Sequence, residues 1–134
     1  MSLQGKSALV LGGSRGIGAA IVERLIKDGA RVTFTYAGSK QAAEKLAGRL
    51  GATAVHADST DRKAIDKLIG GLEKLDILVN NAGVYEGGDA RELPADAADR
   101  VIDVNIRAPY HAAVAAGRKM KSGGRIVVIG SVNG

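Results

Sequence analysis

Apolar and polar positions along this chain switch repeatedly between the period of a strand and the period of a helix. Ala8 to Leu11 is a short apolar run and predicts a first strand. Ile17, Ile21, Val22, Leu25 and Ile26 then recur at helical spacing, and Asp28-Gly29 closes that helix with a left-handed cap. Arg31 to Tyr36 is β-branched and aromatic, a second strand. Lys40 to Leu50 sets Ala43, Leu46, Ala47 and Leu50 on one helix face and stops at Gly51. Thr53 to Ala57 predicts a third strand, Asp61 to Leu72 a helix with Ile65, Leu68, Ile69 and Leu72 inward, and Asp76 to Val79 a fourth strand. A loop with Gly83, Gly87 and Gly88 runs to Pro94. Helix resumes near Asp96 and carries Val101, Ile102 and Ile106; Pro109 is expected to interrupt or restart it, and an alanine-rich stretch runs on to Met120. Ser122-Gly123-Gly124 breaks the helix, and Arg125 to Ile129 predicts a fifth strand.

Strands of this length joined by helices imply right-handed βαβ crossovers and a parallel sheet. The expected fold class is α/β: a doubly wound Rossmann sheet in the order 3-2-1-4-5, lacking its C-terminal strands. Residues 1–134 read as a single, incomplete dinucleotide-binding domain, with no internal repeat, low-complexity segment or linker.

Composition narrows the function more than the fold. The chain is 46% hydrophobic and 25% charged, ordinary for a soluble globular protein. It has no cysteine, which excludes disulfides and thiolate metal sites and suits a reducing cytoplasm. No stretch resembles a signal peptide, and no apolar run approaches a membrane span, so the expectation is a cytoplasmic protein with no membrane partner. The net charge of +5 raises nucleic acid as a partner. Its basic residues (Arg24, Lys27, Lys40, Lys45, Arg49, Lys63, Lys67) are spread over helix faces, and three tyrosines and one phenylalanine offer little base stacking. Nucleic acid is therefore not expected.

The chemistry concentrates at the ends of the strands. Gly12-Gly13-Ser14-Arg15-Gly16-Ile17-Gly18 joins the first strand to the first helix. Glycines there let the backbone turn sharply and approach a pyrophosphate, while the helix start aims N–H groups and a positive dipole end at the charge. Taken alone, such a motif also fits an ordinary tight turn. The second strand ends in Thr35-Tyr36-Ala37-Gly38-Ser39-Lys40. An NAD site usually places an acid there, about 20 residues after the glycines. None lies between Gly29 and Gln41, which permits NADP, and Arg15, Ser39 and Lys40 could meet a 2′-phosphate. Asp58 could accept from an adenine amino group or start the following helix. Asn80-Asn81-Ala82-Gly83 supplies small and amide residues where a cofactor would cross the strand ends. His56 and His111 have no partner at ligand spacing, so no metal is expected.

Together these segments resemble the short-chain dehydrogenase/reductase family. Its pattern is Thr-Gly-x-x-x-Gly-x-Gly, then Asn-Asn-Ala-Gly, an Asn, a Ser, and a Tyr-x-x-x-Lys pair. Here Leu11 stands in place of the Thr, and Asn80 to Gly83 match unaltered. Asn105 fits the helix asparagine, and Ser131 the catalytic serine. The resemblance implies an NADP-dependent oxidoreductase moving a hydride between nicotinamide and a small-molecule carbonyl or alcohol. Ser131 would position the carbonyl and Asn105 would hold a proton-relay water. The implied cofactor-binding set is Gly12, Ser14, Arg15, Gly16, Ile17, Gly18, Tyr36, Ser39, Asp58, Asn81, Ala82 and Gly83. Tyr36 and Lys40 match Tyr-x-x-x-Lys literally, but at the adenosine end, far from where a nicotinamide would sit. No such pair follows Ser131, so the expectation is a fragment of a longer enzyme, inactive alone. The competing expectation is a module that captures a nucleotide without turnover. Phe34 to Ser39 and Gly130 to Gly134 look closest to a bacterial branch that binds cyclic dinucleotides. The family habit also implies a homo-oligomer.

Overall fold

A computed structural model describes residues 2–83 and 91–130. The expected loop glycines Gly87 and Gly88, and the candidate Ser131, lie outside the described residues. The elements run β1 (Ser7–Leu11), α1 (Gly16–Lys27), β2 (Arg31–Tyr36), α2 (Lys40–Leu50), β3 (Thr53–His56), α3 (Arg62–Gly71), β4 (Ile77–Asn80), α4 (Ala95–Ile102), a π-helical turn (Asp103–Arg107), α5 (Ala108–Lys119) and β5 (Arg125–Val128). The strands form a parallel sheet in the order β3-β2-β1-β4-β5, as expected from the sequence.

β1 shows why the sheet is wound on both faces. Its side chains alternate, and both sets are buried. Ala8 and Val10 pack with Val32, Phe34 and Val79 against Val22 of α1 and Ala43 of α2. Leu9 and Leu11 face the other way and pack with Leu78 against Ile65 and Ile69 of α3 and Ala112 and Ala116 of α5. Apolar burial of this kind contributes about 25 cal/mol per Å², and it fixes each strand's register because a one-residue slip would exchange the two faces.

The helix ends follow their sequence signals. Asp28 caps α1 through its N–H to the Arg24 and Ile26 carbonyls, and Gly29 follows in the left-handed region. At the start of α3, Asp61 accepts from the Ala64 N–H at 3.2 Å. Ile17 keeps the helical spacing and, in the first turn of α1, is 64% exposed. Pro109 marks a restart of the helix, one of the two outcomes expected for it. It occupies the first turn of α5, and the irregularity precedes it as the π turn, where the Ala108 N–H reaches back to the Asp103 carbonyl. That wider turn gives the proline ring room that a regular helix would deny it.

Candidate functional site

The Gly12–Gly18 turn leaves the carboxyl end of β1 at the middle of the sheet, where the strand order reverses. Its glycines do different work. A Cβ on Gly18 would run into the Gly12 carbonyl and come within 2.7 Å of Asn81 Nδ2, so Gly18 lets α1 pack onto the turn. Gly16 has φ +59° with nothing within 4 Å of its Cβ position. It is needed for its backbone conformation and leaves the helix start open. Arg15 stands at the N-cap in extended conformation, and its side chain makes no capping hydrogen bond to α1. An arginine cannot accept a hydrogen bond, and no acid occupies the first turn. The first-turn N–H groups and the dipole end are thereby left for an external anion.

The turn is tied to its neighbours through the two peptide units on either side of the Gly12 Cα. Asn81 Nδ2 donates to the Gly12 carbonyl at 2.9 Å, and the Asn81 N–H donates to the Leu11 carbonyl at 3.0 Å. On the other side the Gly12 N–H donates to Thr35 Oγ1 at 3.0 Å. Leu11, where the family pattern has threonine, turns away from the site and is buried among Leu9, Leu78 and Ile65.

A cleft of about 280 Å³ opens above the strand ends. Of the expected residues, Gly12, Ser14, Arg15, Tyr36, Ser39, Asp58, Asn81, Ala82 and Gly83 line it. Gly16, Ile17 and Gly18 do not; they form the helix start beside it. Tyr36 is 7% exposed, with its ring edge-on to His56, a core position rather than an acid/base position. His56 Nε2 lies 3.1 Å from the Ala37 carbonyl and so steadies the loop between β2 and α2. Ser39 takes φ +54°, a strained angle for a residue other than glycine, at the uncapped start of α2. Lys40 pairs with Glu44 at 3.9 Å along α2.

Asp58 keeps both sequence readings partly alive. Its Oδ1 accepts from the Thr60 N–H at 2.9 Å and the Thr60 hydroxyl at 2.8 Å, while Asp61 takes the helix cap. It therefore shapes the turn and also lines the cleft. The Thr60 N–H holds its carboxyl below the ordinary carboxylate range, helped by the Thr60 hydroxyl and by the charges of Arg100 and His56, and opposed by partial burial.

Asn105 lies in the π turn, and its Oδ1 comes within 3.3 Å of where a Gly83 Cβ would stand. The fold thus brings Asn105 to the Asn81–Gly83 loop. Sequence reasoning missed two residues. Arg100 of α4 lines the cleft and lowers the Asp58 pKa. Thr35 is 1% exposed. The signal for Thr35 was parity: it alternates with Val32, Phe34 and Tyr36, and a hydroxyl at a buried strand position must find a partner.

On the far side of Ser59 a second hollow of about 300 Å³ lies between α3 and α5. Its arginines are already paired, Arg62 with Asp66 at 3.7 Å and Arg107 with Asp103 at 2.6 Å. His111 lines it and stacks edge-on with Tyr110. Among the described residues no group of three or more potential ligands could hold a metal, and no helix is long and apolar enough to cross a membrane.

A central glycine turn, an uncapped helix start and a cleft at the topological switch point define a Rossmann-type nucleotide-binding site. The family model for short chain dehydrogenases matches residues 6–134, and the chain belongs to that family. It is 60% identical to the cyclic-di-GMP-binding biofilm dispersal mediator protein of Escherichia coli K12, over 97% of this chain and 55% of that protein. It is 39% identical to a versicolorin reductase of Emericella nidulans, over 96% of this chain and 52% of that one. The crystal structure of BdcA in complex with NADPH superposes with a TM-score of 0.94 at 60% identity, covering 98% of this chain and 54% of the other. The chain thus spans about half the length of the curated relatives it matches.

Proposed function

We propose that this chain is the coenzyme-binding part of an NADP-dependent oxidoreductase that moves a hydride between nicotinamide and a carbonyl or alcohol. The observation that carries this reading is the start of α1, with no side-chain cap and no acid, and with Arg15 at its N-cap. The pyrophosphate would sit on the first-turn N–H groups, with Gly16 leaving room for it. The 2′-phosphate would lie between Arg15 and Ser39; among the described residues Asp58 is the one carboxylate that lines the cleft. Asp58 and Arg100 would face the adenine end of the cleft. The NADPH complex of the BdcA relative and the reductase name of the Emericella nidulans relative support this reading. Bound there, the coenzyme supplies the hydride chemistry, and the chain's part is to bind and orient it. Asn105 would hold a water for proton relay, and Ser131 would position the substrate oxygen. The absence of cysteine fits a reducing cytoplasm.

We also infer self-association. Ile106, Tyr110 and Val114 lie four residues apart along the π turn and α5, and all are exposed. Such an apolar stripe favours a second copy of the chain.

A second reading is capture of a cyclic dinucleotide without turnover, favoured by the name of the Escherichia coli relative. Isothermal titration decides between them. The coenzyme reading expects NADPH to bind more tightly than NADH, and cyclic-di-GMP not to displace it. Equal or tighter NADH binding would remove the NADP assignment, and displacement of NADPH by cyclic-di-GMP at comparable concentration would favour the second reading.

A further inference from the structure

Gly12 is held from two sides, its carbonyl by Asn81 and its N–H by Thr35, a residue outside both the glycine turn and the Asn80–Gly83 segment. Thr35 takes the Gly12 N–H on its hydroxyl at 3.0 Å and the Gly13 N–H on its own carbonyl at 3.0 Å. Two consecutive amides of the turn are thus fixed by one residue of β2. Gly12 has φ +79°, the conformation in which a glycine peptide can rotate with little steric penalty. Leu11, the residue before it, offers no hydroxyl, and its side chain is buried in the opposite core cluster. The polar anchor of the turn therefore comes from the adjacent strand.

We propose that Thr35 is a positioning residue for the coenzyme: its hydroxyl fixes the Gly12 peptide and so aims the N–H groups of the Ser14–Gly18 segment at the pyrophosphate. This inference rests on the coenzyme reading of the cleft. Without the hydroxyl, a part-buried N–H would lack its acceptor, and the peptide would rotate toward water to recover one. The Asn81 N–H bond to the Leu11 carbonyl, which belongs to the same peptide unit, would be strained by that rotation. The damage falls at the pyrophosphate end, which NADP and NAD share. Thr35 should thus act on both coenzymes alike, whereas Arg15 and Ser39 should act on the phosphorylated one.

The test is titration of NADPH and NADH into the wild-type chain, Thr35→Val and Thr35→Ser, with the melting temperature of each protein measured without nucleotide. Valine keeps the shape and removes the acceptor; serine keeps the acceptor. Thr35→Val is expected to raise both dissociation constants by a similar factor, about tenfold, and Thr35→Ser to bind as wild type. If Thr35→Val does not fold, Thr35→Ala, which admits a water, is read by the same criteria. A valine variant with a lowered melting temperature but unchanged dissociation constants would make Thr35 merely structural and overturn the proposal. So would a loss confined to NADPH. A wild-type chain that binds neither coenzyme would overturn the coenzyme reading and the proposal with it, a pattern distinct from failure at Thr35 alone.

Discussion

Gly16 and Gly18 lie two residues apart in one turn, yet a Cβ at each would do harm for a different reason. A Cβ on Gly16 meets nothing within 4 Å, so Gly16→Ala adds no clash inside the protein. Its cost is the left-handed angle, φ +59°, about 1–2 kcal/mol for an L-residue, slightly offset by the stiffer unfolded chain. For a domain of this size that is a fall in Tm of roughly 3–6 °C. The same Cβ stands at the helix start where the pyrophosphate must approach, and a displaced phosphate loses charge-assisted bonds of about 1.5–3 kcal/mol each. The dissociation constant for NADPH should therefore rise by about 10- to 100-fold. Gly18→Ala is different. Its Cβ collides with the Gly12 carbonyl, which is backbone and cannot swing aside. Overpacking of this kind costs about 1–3 kcal/mol, so Tm should fall further, and affinity falls because the turn itself is displaced. Differential scanning calorimetry and titration on the two variants give both quantities. Wild-type NADPH affinity in Gly16→Ala, with the expected loss of Tm, would refute the placement of the anion at the start of α1.

Arg15→Ala should raise the NADPH dissociation constant by roughly 5- to 10-fold and leave NADH unchanged, measured by titration; an equal loss for both would move Arg15 off the 2′-phosphate. Asp76 accepts the Ser7 N–H at 2.8 Å, and that bond, aided by Lys74 and Lys6 against partial burial, holds its carboxyl below the ordinary value. A folded pKa below the unfolded one contributes stability above the unfolded pKa, near pH 4, that is lost as pH falls through the folded value. Asp76→Asn should thus lower stability at neutral pH and flatten its acid dependence below about pH 4 in urea melts at several pH values. An acid limb as steep as wild type would remove Asp76 from it. Tyr110→Glu should shift the sedimentation profile toward monomer, and an unchanged profile would place any self-association elsewhere.

The fold was legible because both periods were clean. β2 and α2 fall where the pattern puts them, and most other boundaries move by one residue, as at Ser7 and His56, where a ladder bond rather than hydropathy decides. Pro109 was readable as a restart, but local rules for proline say nothing of the wider turn just ahead of it. Spacing alone cannot show that Ile17, in the first turn of α1, stays 64% exposed. In the site, the glycines and the Asn81 amide were readable because each has a local signature. Thr35 and Arg100 were not, since their roles depend on residues 23 positions away for Thr35 and on a different helix for Arg100. Asp58 stayed divided because one carboxylate can hold a turn and face a cleft at once.

The central claim is that a phosphorylated dinucleotide lies across the carboxyl ends of the strands, with its pyrophosphate on α1. The most direct measurement is the amide nitrogen–proton NMR spectrum of the labelled chain, titrated with NADPH. The account predicts the largest shifts at Gly12, Gly13, Gly16 to Gly18, Ser39 and Asn81 to Gly83. Shifts concentrated instead at Arg62, Arg107 and His111, around the hollow between α3 and α5, would contradict it.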